Sequence, residues 1–360
     1  MKQNLLNVTP DEAGQLLASF FEARTAPAYR VRQVLYRLWE RPAPSFEAMT
    51  DLPLALRSEL TEHFVLGRLA LDAHQTSTDG TQKFLFRLDD GQAIETVAIP
   101  DGDRLTLCIS SQAGCALQCA FCATGAMGFA RNLQPFEIAG QVREVALLSP
   151  SIRPTNIVFM GMGEPLMNWS AVDPVLTILN SPRGFGIGAR HITVSTVGIL
   201  PGIEALGRRP EQFRLAISIH APSDELRRSL MPVNVKYPLA DVIEAAKAFD
   251  RRVTFEYVLL AGVNDGAQQA SQLAALAAQC RAFVNLIPLH PGGAGSFRPT
   301  TSTEIHAFAQ AIRRAGGGVE VAIRRSRGTD IAAACGQLRV ERLRRRTPVG
   351  AEQDGDVQVA

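Results

Sequence analysis

Three closely spaced cysteines are the first residues in this sequence that could do chemistry. Cys115, Cys119 and Cys122 have the spacing C-x3-C-x2-C in the segment SSQAGCALQCAFCATG. The whole chain has 6 cysteines in 360 residues, too few for the disulfide scaffold of a secreted protein. We therefore expect these three thiols to serve metal or redox chemistry in a reducing compartment.

The spacing leaves three interpretations open: a zinc site, an iron–sulfur cluster, or cysteines with no shared role. A structural zinc site takes four ligands, commonly from two knuckles, and the sequence has no second C-x2-C or H-x3-H pair. A 4Fe–4S cluster held by three thiolates leaves one iron without a protein ligand, where a small molecule can bind. The spacing favours the cluster over the other two interpretations.

The cysteine segment follows the first of a series of apolar strand-like runs that alternate with helical segments. The runs, in chain order, are TLCIS, NIVFMGM, HITVSTV, FRLAISI, VTFEYVLL, FVNLIPL and VEVAIRR. Strands of a parallel sheet covered by helices on both faces are apolar almost throughout, so the pattern predicts an α/β fold. The sheet could close as a full or partial barrel, or stay open and doubly wound. In each case the functional groups belong at the carboxyl ends of the strands.

Changes in patterning divide the chain into four parts. Residues 1–66 have helical periodicity and are expected to form a small helical domain. Residues 67–100 are expected to form a β-hairpin linker, with turns at two Asp-Gly pairs. Residues 101–346 are expected to form the main α/β domain, and the polar residues 347–360 a disordered tail.

Composition and charge restrict the expected cellular location and binding partners of the protein. The first residues, MKQNLLNVTPDEAGQLL, lack the apolar core of a signal peptide, and no run of 18 apolar residues occurs. We expect a cytoplasmic protein with no membrane partner. Lys plus Arg number 37 and Asp plus Glu 35, so a net charge of +2 does not by itself argue for a polyanionic partner.

Beyond the cysteine spacing, a series of motifs resembles the radical S-adenosylmethionine (SAM) RNA adenine methyltransferases of the RlmN/Cfr type. In chain order they are LCISSQAGCALQCAFCATGAMGFARNL, MGMGEPLMN, ITVSTVG, AISIHAP, NLIP and GTDIAAACGQL, within about residues 69 to 340. RVRQVLYRLW and FEAMTDLP are similar to the accessory domain of RlmN members. The resemblance implies a parallel (β/α) partial-barrel radical SAM domain with a small helical amino-terminal accessory domain. It also implies a 4Fe–4S cluster on Cys115, Cys119 and Cys122, with SAM on the open iron.

The resemblance implies catalytic roles for three further residues. Cys335, in AAACGQL, matches the cysteine that is methylated by one SAM. A second SAM is cleaved to a 5′-deoxyadenosyl radical, and the activated S-methyl carbon then joins the adenine ring. Cys108 matches the cysteine that releases the product by forming a disulfide with the carrier, and Glu95 matches the base that takes a proton from the adduct.

Without the resemblance, the residue types alone favour ordinary structural roles for these positions. Isolated cysteines are usually small core residues, and Cys280 is expected to be one. A strand glutamate such as Glu95 usually faces solvent. Cys335 differs because it follows the basic segment RRSRGTD, a setting that favours the thiolate.

The strand ends supply candidates for binding SAM. Gly163 and Glu164 follow the run NIVFM, where a glycine allows close approach of a ligand and a carboxylate can accept from an ammonium group. Later strand ends match SAM-contacting positions of the family: Ser195, Ser218, His220 and Asn285. His220 could instead be a metal ligand or a core histidine, but no His or carboxylate lies nearby at ligand spacing.

Arginines near the carboxyl end are candidates for RNA contacts, since arginine binds phosphate bidentately and stacks on bases. Eight of them lie around Cys335: Arg324, Arg325, Arg327, Arg339, Arg342, Arg344, Arg345 and Arg346. A second basic set lies among the amino-terminal helices, interleaved with Tyr29, Tyr36 and Trp39. Solvated or packed helix faces are the alternative interpretation of both sets.

The resemblance implies methylation of carbon 2 of an adenosine in 23S rRNA near the peptidyl-transferase centre, with a tRNA adenosine next to the anticodon as a further substrate. An electron donor such as flavodoxin or ferredoxin would reduce the cluster. Two alternatives stay open: methylation at carbon 8, as in Cfr-type enzymes, and a non-catalytic Fe–S RNA-binding protein. The helical amino-terminal extension favours the RlmN type.

Overall fold

The computed structural model describes residues 2–149, 153–290 and 295–338. The α-helices in these ranges are α1 (Pro10–Glu22), α2 (Tyr29–Leu38), α3 (Leu54–His63), α4 (Ala123–Ala126), α5 (Pro135–Leu148), α6 (Trp169–Asn180), α7 (Leu200–Gly207), α8 (Asp224–Leu230), α9 (Leu239–Ala248), α10 (Ala267–Cys280) and α11 (Ser302–Ala315). The strands are β1 (Gln3–Asn4), β2 (Phe64–Val65), β3 (Ala70–Thr76), β4 (Gln82–Arg87), β5 (Ala93–Asp101), β6 (Arg104–Cys108), β7 (Gln112–Gly114), β8 (Phe129–Asn132), β9 (Asn156–Phe159), β10 (Ile192–Thr196), β11 (Arg214–Ser218), β12 (Val253–Leu259), β13 (Phe283–Pro288) and β14 (Val321–Ile323). No helix in these ranges is both long and apolar enough to cross a membrane.

The first part of the chain folds into the helices α1 to α3, as its periodicity predicts. α1 begins at a capping box: the Thr9 hydroxyl accepts from the Glu12 backbone at 3.4 Å, and the Glu12 carboxylate accepts from the Thr9 backbone at 2.8 Å. The buried faces of these helices belong to the same apolar core as the main sheet. The helices are therefore packed against the sheet domain along a shared core.

One ten-stranded sheet forms the centre of the molecule, in the order β14-β13-β12-β11-β10-β9-β6-β5-β4-β3. The strands β6 and β9 to β14 are parallel, and β3 to β6 are antiparallel. Within the described ranges the outer strands β14 and β3 do not pair with each other, so the sheet is an open, partial barrel. The predicted α/β fold with a mostly parallel sheet is confirmed, and a closed barrel is excluded for this part of the chain.

The segment between the helices and the first parallel strand extends the sheet with antiparallel strands. The two Asp-Gly turns form as predicted, with φ of +84° at Gly80 and +81° at Gly91, values that favour glycine. β5 pairs with both β4 and β6, and Val97 of β5 is opposite Cys108 of β6. This pairing places the strand that carries Glu95 next to the strand that ends at Cys108.

A fully buried arginine joins the amino-terminal helices to the sheet domain. Arg143 of α5 donates from Nε to the carbonyl of Leu38 at 3.2 Å and from Nη2 to the carbonyl of Ala43. The Glu144 carboxylate lies 3.5 Å from its Nη1. Burial lowers the pKa of the Arg143 guanidinium to about 10, so it remains charged at neutral pH.

We predict that Arg143→Ala lowers the free energy of unfolding by about 3 kcal/mol, because the variant leaves buried carbonyls without a donor. The control is Arg183→Ala, which removes an exposed ion pair with Asp11 across the same two regions and should cost less than about 1 kcal/mol. Urea unfolding followed by circular dichroism measures both. Equal losses in the two variants would contradict the assigned role of Arg143.

Candidate active site

The three cysteines of the motif lie in the loop between β7 and α4. The loop is closed by a hydrogen bond from the backbone N–H of Cys115 to the carbonyl of Gly128 at 2.8 Å. A second bond, from Ala120 to the carbonyl of Leu230 at 2.9 Å, ties the loop to the end of α8. Gly114 has φ of +77°, and a Cβ there would lie 2.0 Å from the Gly128 carbonyl oxygen. Only glycine fits at this position, immediately before the first cysteine.

The three thiols are free and lie close enough to influence each other. Burial raises the pKa of Cys115 to about 11 and raises that of Cys119 further, and the charge of Cys122 adds to both effects. The thiolates therefore need a positively charged partner to form at neutral pH.

The three thiols are placed as ligands of one cofactor could be. Cys115, Cys119 and Cys122 lie in one loop and line one cavity. In a 4Fe–4S cubane each thiolate binds a different iron, so three thiols leave one iron open to a small molecule. The described residues contain no group of three or more Cys, His, Asp or Glu side chains arranged to hold one metal ion.

A cavity with about 920 Å³ of empty space opens beside the cysteine loop. Its walls come from the carboxyl ends of parallel strands, as expected for a site in this kind of sheet. The predicted residues that line it are Cys115, Cys119, Cys122, Gly163, Glu164, Ser195, Ser218, His220 and Cys335. The fold thus brings the cysteine motif and most of the predicted SAM-binding residues into one cavity.

The glycines after β9 are required by close contacts within the protein, apart from the ligand approach that the sequence predicts. A Cβ on Gly161 would lie 2.7 Å from the Ile109 carbonyl group, and one on Gly163, at φ of +100°, would lie 2.5 Å from the Gln112 Cβ. The close approach is therefore to the neighbouring strand end. These glycines let the β9 loop pack against the segment that leads to the cysteine loop.

Glu164 is a buried carboxylate on the wall of this cavity. One of its oxygens accepts from the backbone N–H of Val197 at 2.9 Å, and the other accepts from that of Leu166 at 3.1 Å. Burial nevertheless raises its pKa to about 7. A neighbouring cation, such as the ammonium group of SAM, would favour the ionised form.

His220 is held as a neutral ring with one defined tautomer. Its Nδ1 lies 3.0 Å from the backbone N–H of Val258, which must donate, so the ring proton is on Nε2. Burial lowers the pKa of the ring to about 3. Its φ of +54° is unusual for a residue with a side chain, and the Asn264 amide donates to its carbonyl at 2.8 Å. The ring therefore offers an N–H donor and does not act as a charged group.

Asn285 is oriented by a residue that sequence reasoning missed. Its Nδ2 donates to the carboxylate of Glu256 at 2.7 Å, and Glu256 in turn lines the cavity. Burial raises the pKa of Glu256, while the charge of Arg324 opposes that effect. A single glutamate within the apolar run VTFEYVLL was the signal that could have identified it.

A second cavity, with about 560 Å³ of empty space, lies next to the first. It is lined by both Cys108 and Cys335, together with Met160, His290 and Arg324. Burial raises the pKa of Cys108 to about 12, and the charge of Cys335 adds to this effect. Because Cys335 lines both cavities, the predicted carrier lies at their junction.

All six cysteines are free in this structure. The structure therefore gives no support for the disulfide between Cys108 and Cys335 that the family resemblance implies for product release. Cys280 is separate from both cavities, with its thiol 3.7 Å from the carbonyl of Ile243 between α9 and α10. It is a packing cysteine, as the sequence predicts.

Arg324 is half-buried and lies at the site itself. It lines both cavities, and the charges of Cys335, Glu256 and Cys108 raise the pKa of its guanidinium. Its Nη1 lies 4.0 Å from the sulfur of Met160. The sequence correctly predicts positive charge next to Cys335. One of the arginines that supply it, Arg324, faces the two cavities.

Hydrogen bonds from two directions anchor the loop that carries Cys335. Asp330 accepts from the hydroxyl of Ser77 at 2.6 Å, and Asp79 accepts from the backbone of Gly328 at 2.9 Å. On the other side, Thr124 of α4 donates to the carbonyl of Leu338 at 2.6 Å. The loop is thus tied both to the turn between β3 and β4 and to the helix that follows the cysteine motif.

Glu95 is buried, which excludes the solvent-facing strand position that the residue pattern alone favours. Its carboxylate lies 3.2 Å from the ammonium group of Lys83, and Lys83 also donates to the carbonyl of Ala332 at 3.4 Å. Among the described residues, those that line the two cavities do not include Glu95. The Lys83 bridge nevertheless connects it to the loop that carries Cys335.

The predicted basic segment is only partly described. Arg325 is exposed, and Arg327 forms an ion pair with Asp101 at 3.3 Å. Both line the cavity that contains the two cysteines. The remaining five lie outside the described residues: Arg339, Arg342, Arg344, Arg345 and Arg346. The predicted tail, 347–360, also lies outside them.

The aromatic residues of the amino-terminal helices have two different environments. Tyr29 and Tyr36 are exposed, and the Arg30 guanidinium lies 4.9 Å from the centre of the Tyr29 ring. Trp39 is buried and packs edge-on against Phe185 at 5.7 Å. Trp39 is therefore a core residue, and the two tyrosines remain available at the surface.

Comparison with known proteins gives matches over both parts of the chain. The Radical SAM superfamily matches residues 109–274, and the ribosomal RNA large subunit methyltransferase N-terminal domain matches residues 3–66. A probable dual-specificity RNA methyltransferase RlmN from Gemmatimonas aurantiaca is 70% identical over 357 residues, 99% of each chain. The dual-specificity RNA methyltransferase RlmN of Marinomonas sp. is 41% identical, over 94% of this chain and 93% of its own.

A solved structure also matches over nearly the whole length. The radical SAM methyltransferase from Sphaerobacter thermophilus is 44% identical and superposes with a TM-score of 0.88, covering 94% of this chain and 100% of its own. The sequence, the fold and the arrangement of the cysteine loop agree with one assignment. The chain belongs to the RlmN family of radical SAM RNA methyltransferases.

Proposed function

We propose that the protein methylates carbon 2 of an adenine in RNA through a methylated cysteine. The proposed substrates are an adenosine of 23S rRNA near the peptidyl-transferase centre and a tRNA adenosine next to the anticodon, which agrees with the dual specificity in the names of its relatives. The single observation that supports this route most strongly is the position of Cys335 at the junction of two cavities. One cavity contains the cysteine motif, and the other contains Cys108.

The cofactors of the family are SAM and a 4Fe–4S cluster, and the described residues fit both. Cys115, Cys119 and Cys122 would hold the cluster. Glu164 would accept from the SAM ammonium group, His220 would donate from Nε2, and the remaining contacts would come from Ser195, Ser218, Asn285 and the backbone at Gly163. When bound, the two groups supply the methyl group and the one-electron chemistry of the reaction.

The side chains of the second cavity would complete the transfer. The Cys335 sulfur first accepts the methyl group. After one hydrogen atom is removed from it, that carbon bonds to the adenine ring, and the resulting adduct radical gives up one electron, which the bound cluster would accept. Glu95, which lines neither cavity but is linked through Lys83 to the loop of Cys335, is proposed to take the ring proton. The Cys108 sulfur then bonds to the Cys335 sulfur as the Cys335 S–C bond breaks. The bond electrons stay with the carbon, which takes up a proton and becomes the new methyl group.

Mass spectrometry of rRNA and tRNA, from cells with and without the protein, tests the proposed function. A new 2-methyladenosine in both RNAs is the expected result. An 8-methyladenosine would instead assign the protein to the Cfr type. RNA binding without any new methyl group or 5′-deoxyadenosine would leave the non-catalytic Fe–S interpretation.

We predict that Cys119→Ala abolishes assembly of the cluster, because each thiolate binds a different iron and the variant leaves one of these irons without its protein ligand. Iron and sulfide content, together with visible absorption after anaerobic reconstitution, measures the loss. Cys280→Ala is the control, since its thiol lies between α9 and α10, and it should assemble normally. Unchanged iron content in Cys119→Ala would show that the ligand assignment is wrong.

We predict that Cys335→Ala keeps the cluster and SAM binding but transfers no methyl group to RNA, because its thiol is the proposed acceptor. With labelled SAM, the label should appear in wild-type protein before it appears in RNA. The variant should acquire no label on protein or RNA. RNA methylation by the variant at near the wild-type rate would exclude the carrier role.

We predict that Cys108→Ala attacks RNA but stalls with Cys335 covalently joined to adenine, because the thiol that breaks the S–C bond is missing. Denaturing gels should show slow-migrating, nuclease-sensitive protein that disappears when Cys335 is also changed to Ala. If Cys108 only packs in the core, the variant should lose about 1 kcal/mol of stability and turn over without attached RNA.

A further inference from the structure

A fully buried arginine lies behind the SAM cavity, and neither the cysteine motif nor the proposed reaction accounts for it. Arg227 of α8 has no exposed surface. Its Nη1 donates to the side-chain oxygen of Asn234 at 2.7 Å, and its Nη2 donates to the carbonyl of Val197 and, at 3.5 Å, to that of Ser218. Burying a guanidinium is costly unless its donors are satisfied and its charge is balanced.

The hydrogen bonds of Arg227 reach the ends of the two strands that carry predicted SAM contacts. Ser218 is the last residue of β11, and Val197 directly follows β10, which carries Ser195. The N–H of Val197 also donates to Glu164 at 2.9 Å. The backbone of one residue, Val197, is thus held between the proposed ammonium acceptor on one side and Arg227 on the other. A change at Arg227 should move the cavity wall.

Among the described residues, no carboxylate accepts a hydrogen bond directly from the Arg227 guanidinium. Within the described ranges, the oxygens that accept from its guanidinium belong to backbone carbonyls and to Asn234, all neutral groups. Asp224 reaches it indirectly, by accepting from the Asn234 amide at 2.7 Å. Burial lowers the pKa of Arg227 to about 10, and the charges of Cys119 and Asp224 oppose that effect. The hydrogen bond from Ala120 to the carbonyl of Leu230 holds the cysteine loop at the end of the same helix.

We propose that Arg227 is a positioning residue with two separable effects: its hydrogen bonds hold the ends of β10 and β11 in the SAM-binding arrangement, and its charge balances the cluster on Cys119. The proposal rests on the proposed function only in assuming that a cluster and SAM occupy the first cavity. A cluster with three thiolates is net negative, and reduction adds one electron. A buried cation nearby therefore stabilises the reduced state more than the oxidised state.

The experiment compares the reconstituted full-length wild type with three variants. Arg227→Gln removes the charge and most of the hydrogen bonds, Arg227→Lys keeps the charge but cannot bridge both strand ends, and Arg228→Gln changes the exposed neighbour on the same helix. Iron content, the midpoint potential of the cluster and the SAM dissociation constant are measured for each. None of these readouts requires RNA or turnover.

Arg227→Gln should shift the midpoint potential to a more negative value and weaken SAM binding about tenfold, the scale expected for losing hydrogen bonds to a charged group. Arg227→Lys should keep a potential near that of the wild type but still bind SAM less tightly. Arg228→Gln should match the wild type in both. If Arg227→Gln does not fold, Arg227→Lys tests the positioning role in its place. A SAM affinity in Arg227→Lys equal to that of the wild type would overturn that role.

Unchanged potential and SAM affinity in Arg227→Gln would overturn the proposal entirely. A potential shift with unchanged SAM affinity would overturn the positioning role. Failure of the proposed function gives a different result, in which the wild type binds the cluster and SAM, the variants differ as described, and no RNA is methylated. The two hypotheses can therefore fail independently.

Discussion

The need to bury ionisable groups without leaving them unpaired shapes the whole carboxyl-end face of the sheet. Five thiols, two carboxylates and two arginines lie in or directly behind the two cavities. Both carboxylates are held by hydrogen bonds, Glu164 from the backbone of Val197 and Glu256 from the amide of Asn285. The strand ends must keep their positions for these bonds to persist, so the ten-stranded sheet and its helices serve as the rigid support of the site.

The antiparallel edge of the sheet has a direct part in this arrangement. The turn between β3 and β4 accepts and donates hydrogen bonds with the loop that carries Cys335, and Lys83 of β4 joins Glu95 to the same loop. An edge that only covered the core would not need these specific contacts. The edge strands therefore link the proposed base, the proposed carrier and the main sheet.

Most of the fold and much of the site could be predicted from the sequence. Continuous apolar runs indicated the parallel sheet, and the C-x3-C-x2-C spacing with its flanking motifs identified the cavity residues before any geometry was known. Glu256, Lys83 and Arg227 were missed, because each belongs to a segment whose pattern predicts only a strand or a helix. Their roles come from partners far away along the chain, such as Glu95 for Lys83 and Val197 for Arg227. The close contact of Gly163 with Gln112 was also missed, since it cannot be read from a local pattern.

The location of Cys335 on both cavities has a kinetic consequence. A carrier that swung between distant sites would lose rate to diffusion and to the ordering of its loop in every cycle. Here the proposed methyl acceptor, Cys335, and the thiol proposed to attack it, Cys108, line the same cavity, and hydrogen bonds hold the loop of Cys335 at both ends. Groups fixed in one site react as if at very high effective concentration. The two proposed half-reactions would therefore need no transport of the methyl group between distant sites.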